Sequence, residues 1–141
     1  MGTILKTTNG GNNWNDLSIN SQFALNSVHF ISQQVGWVAG YKGIHKTTNG
    51  GYTWYLQSSV SNITLYSISL YNSQTGVAVG QYGYIFKTSN SGVSWIDQSF
   101  GSRNSFESIF FTSPNLGWAV GYDGIILRTS NGGVYWIDNS F

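Results

Sequence analysis

The chain has 141 residues, a net charge of +1 and no cysteine, and only 8% of its side chains are charged against 16% aromatic. So little charge provides no field that would attract nucleic acid or anionic lipid, and the lack of cysteine excludes disulfides and thiolate metal sites. The aromatic content argues against disorder, and no apolar run approaches the roughly 20 residues of a membrane span. We therefore expect a folded domain that binds no nucleic acid and inserts into no membrane.

The composition also bears on location. With few charges, solubility must come from Asn, Ser, Thr, Gln and Gly, and this surface favours an extracytoplasmic protein, whether secreted, periplasmic or held at the cell surface. Met1 is followed directly by the strand-like segment Gly2-Thr3-Ile4-Leu5, so we expect no signal peptide within this sequence. Export would require a signal that lies outside it.

A repeat of about 40 residues organises the whole chain. Its most regular part reads Thr-x-Asn-x-Gly-x-x-Trp and begins at Thr7, Thr47, Thr88 and Thr129, at spacings of 40, 41 and 41 residues. Three copies follow a second motif, which begins at Gly36, Gly76 and Gly117 and reads Gly-Trp-Val-Ala-Gly in its first occurrence. Repeats of this period indicate a single architecture built from one recurring unit.

Each unit is predicted to contain four short strands, A to D. In the first complete unit they are residues 27–31, 36–39, 44–47 and 54–56, with alternating apolar residues in strand A and no helical period anywhere. Four strands per 40–45 residues is the period of a β-propeller blade. We predict an all-β propeller with a half blade of strands C and D at 1–20 and full blades at 21–60, 61–101 and 102–141.

The Thr-x-Asn-x-Gly-x-x-Trp motif is interpreted as a structural turn between strands C and D. The asparagine can close an Asx-turn onto backbone two residues on, the glycine allows a positive φ, and the tryptophan buries its ring beneath the hairpin. The alternative is that the tryptophans stack on glycans. The residues concerned are Asn9, Gly11, Trp14, Asn49, Gly51, Trp54, Asn90, Gly92, Trp95, Asn131, Gly133 and Trp136.

Most charges repeat with the blades. Lys6, Lys46, Lys87 and Arg128 each lie three residues before the motif asparagine, and Asp16, Asp97 and Asp138 each lie two residues after the motif tryptophan. Because the two sets occupy facing strands of one hairpin, we expect cross-strand ion pairs. The alternative is a ring of positive charge that receives an acidic partner.

The remaining charges and several tyrosines break the repeat and fall in two kinds of loop. Since successive strands alternate in direction, the B–C and D–A loops emerge at the same end of a blade. Exposed tyrosines and polar groups on loops are typical of protein or glycan recognition, although plain solvated loops are the alternative. The candidate binding face comprises Tyr41, Lys42, Gln81, Tyr82, Tyr122 and Asp123 in B–C loops, with Arg103 and Glu107 in or beside the last D–A loop.

The motifs resemble two known groups of propellers. The four Thr-x-Asn-x-Gly-x-x-Trp copies resemble the Asp-box of bacterial neuraminidases, also called the BNR repeat, with Asn in place of Asp. The longer string at residues 117–136, Gly-Trp-Ala-Val-Gly-Tyr-Asp-Gly-Ile-Ile-Leu-Arg-Thr-Ser-Asn-Gly-Gly-Val-Tyr-Trp, resembles the photosystem II stability/assembly factor family and its secreted bacterial relatives. This resemblance covers essentially the whole chain. It implies a propeller that is usually seven-bladed, extracytoplasmic and without catalysis.

We accordingly expect a non-catalytic binding or scaffolding module with no cofactor and no metal. The alternative is a fragment of a sialidase-like Asp-box glycoside hydrolase. A sialidase needs an arginine cluster, and only Arg103 and Arg128 are present; an ordinary glycosidase needs two convergent carboxylates, for which Glu107 and Asp123 are a poor pair.

The predicted strands do not complete a ring. Two strands in the first segment and four in each of the other three give 14, or three and a half blades, whereas propellers have typically 4–8. We expect the chain to self-associate or to belong to a longer protein, with residues 2–19 lacking an inner-strand partner.

Overall fold

A computed structural model describes residues 2–19, 24–99, 101 and 103–141. These residues form strands and two single 3-10 turns, Gln81–Gly83 and Tyr122–Gly124. The strands are β1 (Leu5–Lys6), β2 (Asn15–Asp16), β3 (Leu25–Phe30), β4 (Gly36–Thr47), β5 (Tyr55–Leu70), β6 (Gly76–Gly80), β7 (Ile85–Thr88), β8 (Ile96–Asp97), β9 (Phe106–Phe111), β10 (Gly117–Gly121), β11 (Ile126–Thr129) and β12 (Ile137–Asp138).

Within each sheet the strands pair in chain order, each antiparallel to the next. Strands β1 and β2 form a hairpin, strands β3 to β8 form one continuous sheet, and strands β9 to β12 form a four-stranded sheet. This last sheet is one blade with its strands in the order A, B, C, D. The predictions of an all-β chain and of four antiparallel strands per blade are confirmed.

The six-stranded sheet contains two blades joined by long strands. Strand β4 supplies strands B and C of the second blade without a break, and β5 supplies strand D of the second blade and strand A of the third. The predicted boundary between residues 60 and 61 therefore falls inside β5. The boundaries predicted near residues 20 and 101 fall on or beside residues outside the described ranges. Below, the half blade is β1–β2, the second blade begins with β3, the third with the end of β5, and the fourth is β9–β12.

Two apolar cores lie between neighbouring blades. The first joins Trp37 and Ala39 on β4 to Ile68 and Leu70 on strand A of the next blade, and all four are at most 4% exposed. Because side chains alternate across a strand, each blade has one apolar face toward the preceding blade and one toward the following blade. The second core repeats this arrangement one blade further along, with Val77, Val79 and Ile85 packed against Phe106, Ile109, Phe111 and Leu127.

The C–D turn is closed by threonine as well as asparagine. Thr47 is fully buried, and its Oγ1 accepts hydrogen bonds from the backbone N–H of Asn49 at 3.3 Å and of Gly51 at 2.9 Å. The same hydroxyl donates to Asn49 Oδ1 at 3.0 Å, and that oxygen accepts from Thr53 N–H, four residues on, at 2.9 Å. The sequence interpretation had the asparagine bond two residues on; the structure gives that position to the threonine.

The motif tryptophans depend on strand A of their own blade. Trp54 meets Phe30 edge-on at 5.9 Å between ring centroids, and Trp136 meets Phe111 at 6.2 Å. Trp136 is only 8% exposed, whereas Trp14, in the half blade, is 57% exposed. The structure thus departs from the expected burial at Trp14, because β1–β2 offers no strand-A side chain for the ring to pack against.

The expected cross-strand ion pairs are absent from the described hairpins. Lys6 lies opposite Asn15, while Asp16 lies opposite Leu5, and an offset of one residue puts two side chains on opposite faces of a sheet. The Lys6 ammonium instead donates to the Gly50 carbonyl at 2.7 Å, in the next blade. Lys46 repeats this contact one blade later, to the Ser91 carbonyl at 2.9 Å. Lys6 and Lys46 therefore connect neighbouring blades.

The first prediction tests the threonine of the turn. Replacing Thr47 by Val keeps its shape but leaves the buried Gly51 N–H without an acceptor, which should lower the free energy of unfolding by about 1–3 kcal/mol. The matched control is Thr48→Val, because Thr48 is exposed and its loss should change stability by less than about 0.5 kcal/mol. Chemical denaturation of both variants measures the difference, and equal effects would contradict the role given to Thr47.

The second prediction concerns pH. Burial lowers the pKa of His45, and it lowers the pKa of His29 against a smaller opposing effect of the Leu70 backbone. When the pKa is lower in the folded state, the free energy of unfolding has its full value above the ordinary histidine pKa, about 6.5. It falls as the pH drops below that value, because the unfolded state then binds more protons. The thermal midpoint should therefore decrease between pH 7.5 and pH 5.5. In His45→Phe, which copies Phe86 of the third blade, the decrease should be smaller; an undiminished decrease would contradict this.

Candidate functional site

The B–C corners of the third and fourth blades are tight turns with a left-handed backbone. Tyr82 and Gly83 have φ of 55° and 75°, and Asp123 and Gly124 have φ of 56° and 72°. Two consecutive positive φ values define a type I′ turn, which favours Asn-Gly and Asp-Gly. Asp123-Gly124 suits this geometry, whereas Tyr82 is a bulky residue in a conformation that such residues rarely adopt.

The D–A segment of the fourth blade ties two corners together through one serine. The backbone N–H of Tyr82 donates to Ser105 Oγ at 3.3 Å, and the N–H of Tyr122 donates to the Ser105 carbonyl at 3.0 Å. Ser105 therefore lies between the corners of the third and fourth blades and holds the two tyrosines beside it.

Thr64 makes the corresponding tie one blade earlier. Its N–H donates to Gln81 Oε1 at 3.0 Å, and its backbone pairs with Tyr41 at the corner of β4. The corner residues and these two ties form a continuous band at one end of the blades, which we call the corner strip: Tyr41, Lys42, Thr64, Gln81, Tyr82, Ser105, Tyr122 and Asp123.

The side chains of the corner strip differ in exposure. Tyr82 and Tyr122 are 65% and 61% exposed. Tyr41 and Lys42 are half-buried, with the Lys42 ammonium 5.2 Å from the Tyr41 ring centroid. Gln81 is half-buried and bonded to Thr64, so within the strip it acts as a structural tie. The two tyrosines are consequently the largest side chains that the strip presents to solvent.

The two predicted charges of the last D–A segment flank the same serine. Arg103 and Glu107 lie two residues on either side of Ser105, and both are exposed. All eight residues of the predicted binding face are thus at or beside the corner strip. Sequence reasoning missed Thr64 and Ser105; the available signal was that each immediately precedes strand A, at matching positions of successive blades.

The described residues offer little acid–base or metal chemistry. Among them, no three His, Cys, Asp or Glu side chains are grouped so that they could hold a metal ion. Glu107 on β9 and Asp123 on the β10–β11 turn are both exposed in the fourth blade. In the same residues no helix is long and apolar enough to cross a membrane. The corner strip is equipped for contact through aromatic and polar side chains.

The blades have four strands and pack face to face. Each carries an Asp-box turn at one end, and the sequence of the loops at the other end varies. These features define the class of BNR-repeat β-propellers. The sequence profile of the family described as Photosynthesis system II assembly factor YCF48 matches residues 6–103, and the chain belongs to this family. The resemblance stated from the motifs is therefore confirmed. No curated protein matches the sequence.

Solved structures of similar fold include YCF48 proteins and GH74 enzymes. The chain is similar to YCF48 bound to D1 peptide, with a TM-score of 0.76 and 23% identity over 85% of this chain and 41% of that one. It is similar to YCF48 from Cyanidioschyzon merolae, with a TM-score of 0.72 and 19% identity over 86% of this chain and 41% of that one. The chain is also similar to a GH74 enzyme of Niastella koreensis, with a TM-score of 0.77 and 17% identity over 99% of this chain and 27% of that one.

These likenesses establish the fold. The predicted propeller is confirmed, and the chain spans about two fifths of the length of the YCF48 structures it matches. Since a binding protein and a glycoside hydrolase share this architecture, function has to be argued from the site.

The third prediction tests whether Tyr82 serves the fold. Asn tolerates the left-handed backbone better than Tyr, so Tyr82→Asn should raise the free energy of unfolding by about 0.5–1 kcal/mol. In the matched control, Asp123→Asn, both residues suit the turn, and stability should change by only about a few tenths of a kcal/mol. Thermal denaturation measures both. A clear loss of stability in Tyr82→Asn would show that the ring supports the fold.

Proposed function

We propose that this chain is a non-catalytic binding module that holds a segment of another polypeptide against the corner strip. The observation that carries the proposal is the double contact of Ser105 with the backbones of Tyr82 and Tyr122. Both backbones thus meet at one residue, and both tyrosine side chains are exposed. Rigid, amphipathic tyrosines supply contact area at a small entropic cost, which is why they are common in recognition surfaces.

The backbone at Tyr82 supports the same conclusion. A non-glycine residue in the left-handed region costs about 1–3 kcal/mol, and such residues cluster at binding sites. Tyr82 is largely exposed and thus gains little from packing in return. A largely exposed ring in this conformation therefore supports contact with a partner.

The charges around the strip favour a polypeptide partner. Lys42 and Asp123 carry opposite signs at the two ends of the strip, and Arg103 and Glu107 do so on either side of Ser105. Charges of both signs can pair with the charged side chains and the backbone amides of a bound polypeptide. They also fix the direction and register in which that polypeptide binds. The similar YCF48 structure is of a complex with D1 peptide, which supports this class of partner. We place the module outside the cytoplasm on its low-charge, amide-rich surface.

The fourth prediction is tested with selected peptides. A displayed library of random peptides is screened against the chain, and an enriched peptide is titrated by fluorescence anisotropy. Tyr82→Ala and Tyr122→Ala should each weaken its affinity tenfold or more, about 1.4 kcal/mol, as central aromatic contacts do. The matched control is Tyr135→Ala, because Tyr135 is 73% exposed on the Asp-box turn at the opposite end.

The control variant also shows which results would contradict the proposed binding site. If Tyr135→Ala abolishes binding while both corner variants bind normally, the partner uses the other end of the propeller. If no peptide is enriched and a glycan array gives a ligand that depends on Tyr82 and Tyr122, the site is right and the partner class is wrong.

A glycoside hydrolase is the second candidate, favoured by the GH74 fold that covers 99% of this chain. Its catalytic carboxylates would have to be Glu107 and Asp123. Fluorogenic sialosides and common glycosides provide the assay, and activity that is lost in Glu107→Gln would establish this candidate over the binding module.

A further inference from the structure

The joint between the third and fourth blades departs from the repeated pattern of lysine contacts. At the two preceding joints the strand-C lysine, Lys6 or Lys46, donates to the carbonyl of the residue that follows the motif asparagine of the next blade. The matching carbonyl of the fourth blade belongs to Gly132, and it accepts from the Tyr71 hydroxyl at 3.4 Å. The Tyr71 ring also packs on Phe111, with 4.8 Å between ring centroids. A tyrosine therefore takes the acceptor that a lysine uses at the other joints.

Lys87, the strand-C lysine of the third blade, lacks the contacts that Lys46 makes. Within the part of the chain that the structure describes, the Lys87 ammonium has no hydrogen-bond or ion-pair partner. The Lys46 ammonium also lies 4.8 Å from the ring centroid of Trp37. At the position of Trp37 the third blade has Val77, which lies directly opposite Lys87 and provides no ring. The half-buried ammonium of Lys87 is thus available to a ligand.

The acidic residue of the same hairpin does not balance the charge of Lys87. Asp97 lies opposite Phe86, so its side chain is on the other face of the blade. Its Oδ1 accepts from the Ser99 N–H at 2.8 Å. Burial lowers the pKa of Lys87, as expected for an ammonium that is partly removed from water without a counter-charge. A bound anion would offset that cost.

A small pocket adjoins Lys87 at the joint between the third and fourth blades. Its volume is about 190 Å³, and it is lined by Lys87, Ser89, Ile96, Gln98 and Val134. Lys87 lies directly opposite Ile96, and Ser89 and Gln98 each follow two residues later, so all four share one face of the third blade. Val134 comes from the Asp-box turn of the fourth blade. We call this site the Lys87 pocket.

We propose that the Lys87 pocket binds an aliphatic carboxylate. The Lys87 ammonium, the Ser89 hydroxyl and the Gln98 amide are all hydrogen-bond donors, and a carboxylate accepts several such bonds at once. Ile96 and Val134 provide apolar surface for the short stem of the ligand. One carboxylate matches the single positive charge, whereas a phosphate would bring nearly two negative charges to one cation. The pocket lies at the Asp-box end, opposite the corner strip, so it stands independently of the proposed peptide site.

The test is a heteronuclear NMR titration of the chain with sodium butyrate, at constant pH and ionic strength. Butyrate should shift the backbone amide signals of Ser89, Gln98 and Val134 in a saturable way, and butyramide, its neutral analogue, should not. Lys87→Met should weaken butyrate binding by about tenfold or more, because the charged donor is lost. The matched control is Lys46→Met, since that ammonium is already bonded to the Ser91 carbonyl. It should lower the thermal midpoint and leave butyrate affinity unchanged.

A second variant tests why Lys87 has no partner. Tyr71→Phe removes the hydroxyl and keeps the ring against Phe111, so the Gly132 carbonyl becomes available to Lys87. Butyrate affinity should then fall, because Lys87 takes the contact that Lys46 makes one blade earlier. An unchanged affinity would contradict this exchange of acceptors. Circular dichroism checks that each variant is folded.

Two capped tripeptides identify the source of the carboxylate. Acetyl-Gly-Glu-Gly-amide should bind to the Lys87 pocket, and the corresponding Gln peptide should not. Tighter binding of the Glu peptide than of butyrate assigns the pocket to a side chain of a polypeptide, and the reverse order assigns it to a free small acid. The proposal is overturned if butyrate gives no saturable shifts, if butyramide binds equally well, or if Lys87→Met retains the wild-type affinity.

Discussion

The structure depends on the packing of one blade's apolar face against the next. Val77 and Val79 on one face of the third blade and Ile68 and Leu70 on the other belong to different cores. A single blade therefore has no core of its own, and burial is gained only at a joint between blades. In such an array the stability is close to a sum over neighbouring contacts. This explains why side chains at equivalent positions range from fully buried to largely exposed along a single chain.

Much of the fold could be predicted because the repeat reports strand number and turn chemistry together. The spacing of the Thr-x-Asn-x-Gly-x-x-Trp motif gave four strands per blade, which the β9–β12 sheet confirms. The period could not give the direction of side chains across a hairpin. Lys6 and Asp16 are one residue away from lying directly opposite each other on the two strands. Because of this offset the two side chains lie on opposite faces of the hairpin and do not form an ion pair. Nor did the period reveal that β4 and β5 run on through their corners.

For the candidate site, too, one part could be predicted from the sequence and another part could not. The end on which Tyr82, Tyr122 and Asp123 lie could be predicted, since it follows from strand direction alone. The connection between them could not, because it depends on Ser105, a small polar residue whose importance lies in two backbone partners from different blades. Sequence reveals which residues depart from a repeat, whereas only the fold shows which departures are neighbours.

The two ends of the blades are under different constraints. At the Asp-box end the same Thr and Asn hydrogen bonds recur in each described turn, so substitutions there act first on folding. At the corner end the ties use the backbones of Tyr82 and Tyr122 and the side chains of Ser105 and Gln81, and this leaves the side chains of Tyr82 and Asp123 free to vary without loss of the turn. A YCF48 complex and GH74 enzymes can then share one architecture. Their differences in function must be carried by residues that the blade does not need, and we propose that in this chain those residues are the exposed ones of the corner strip.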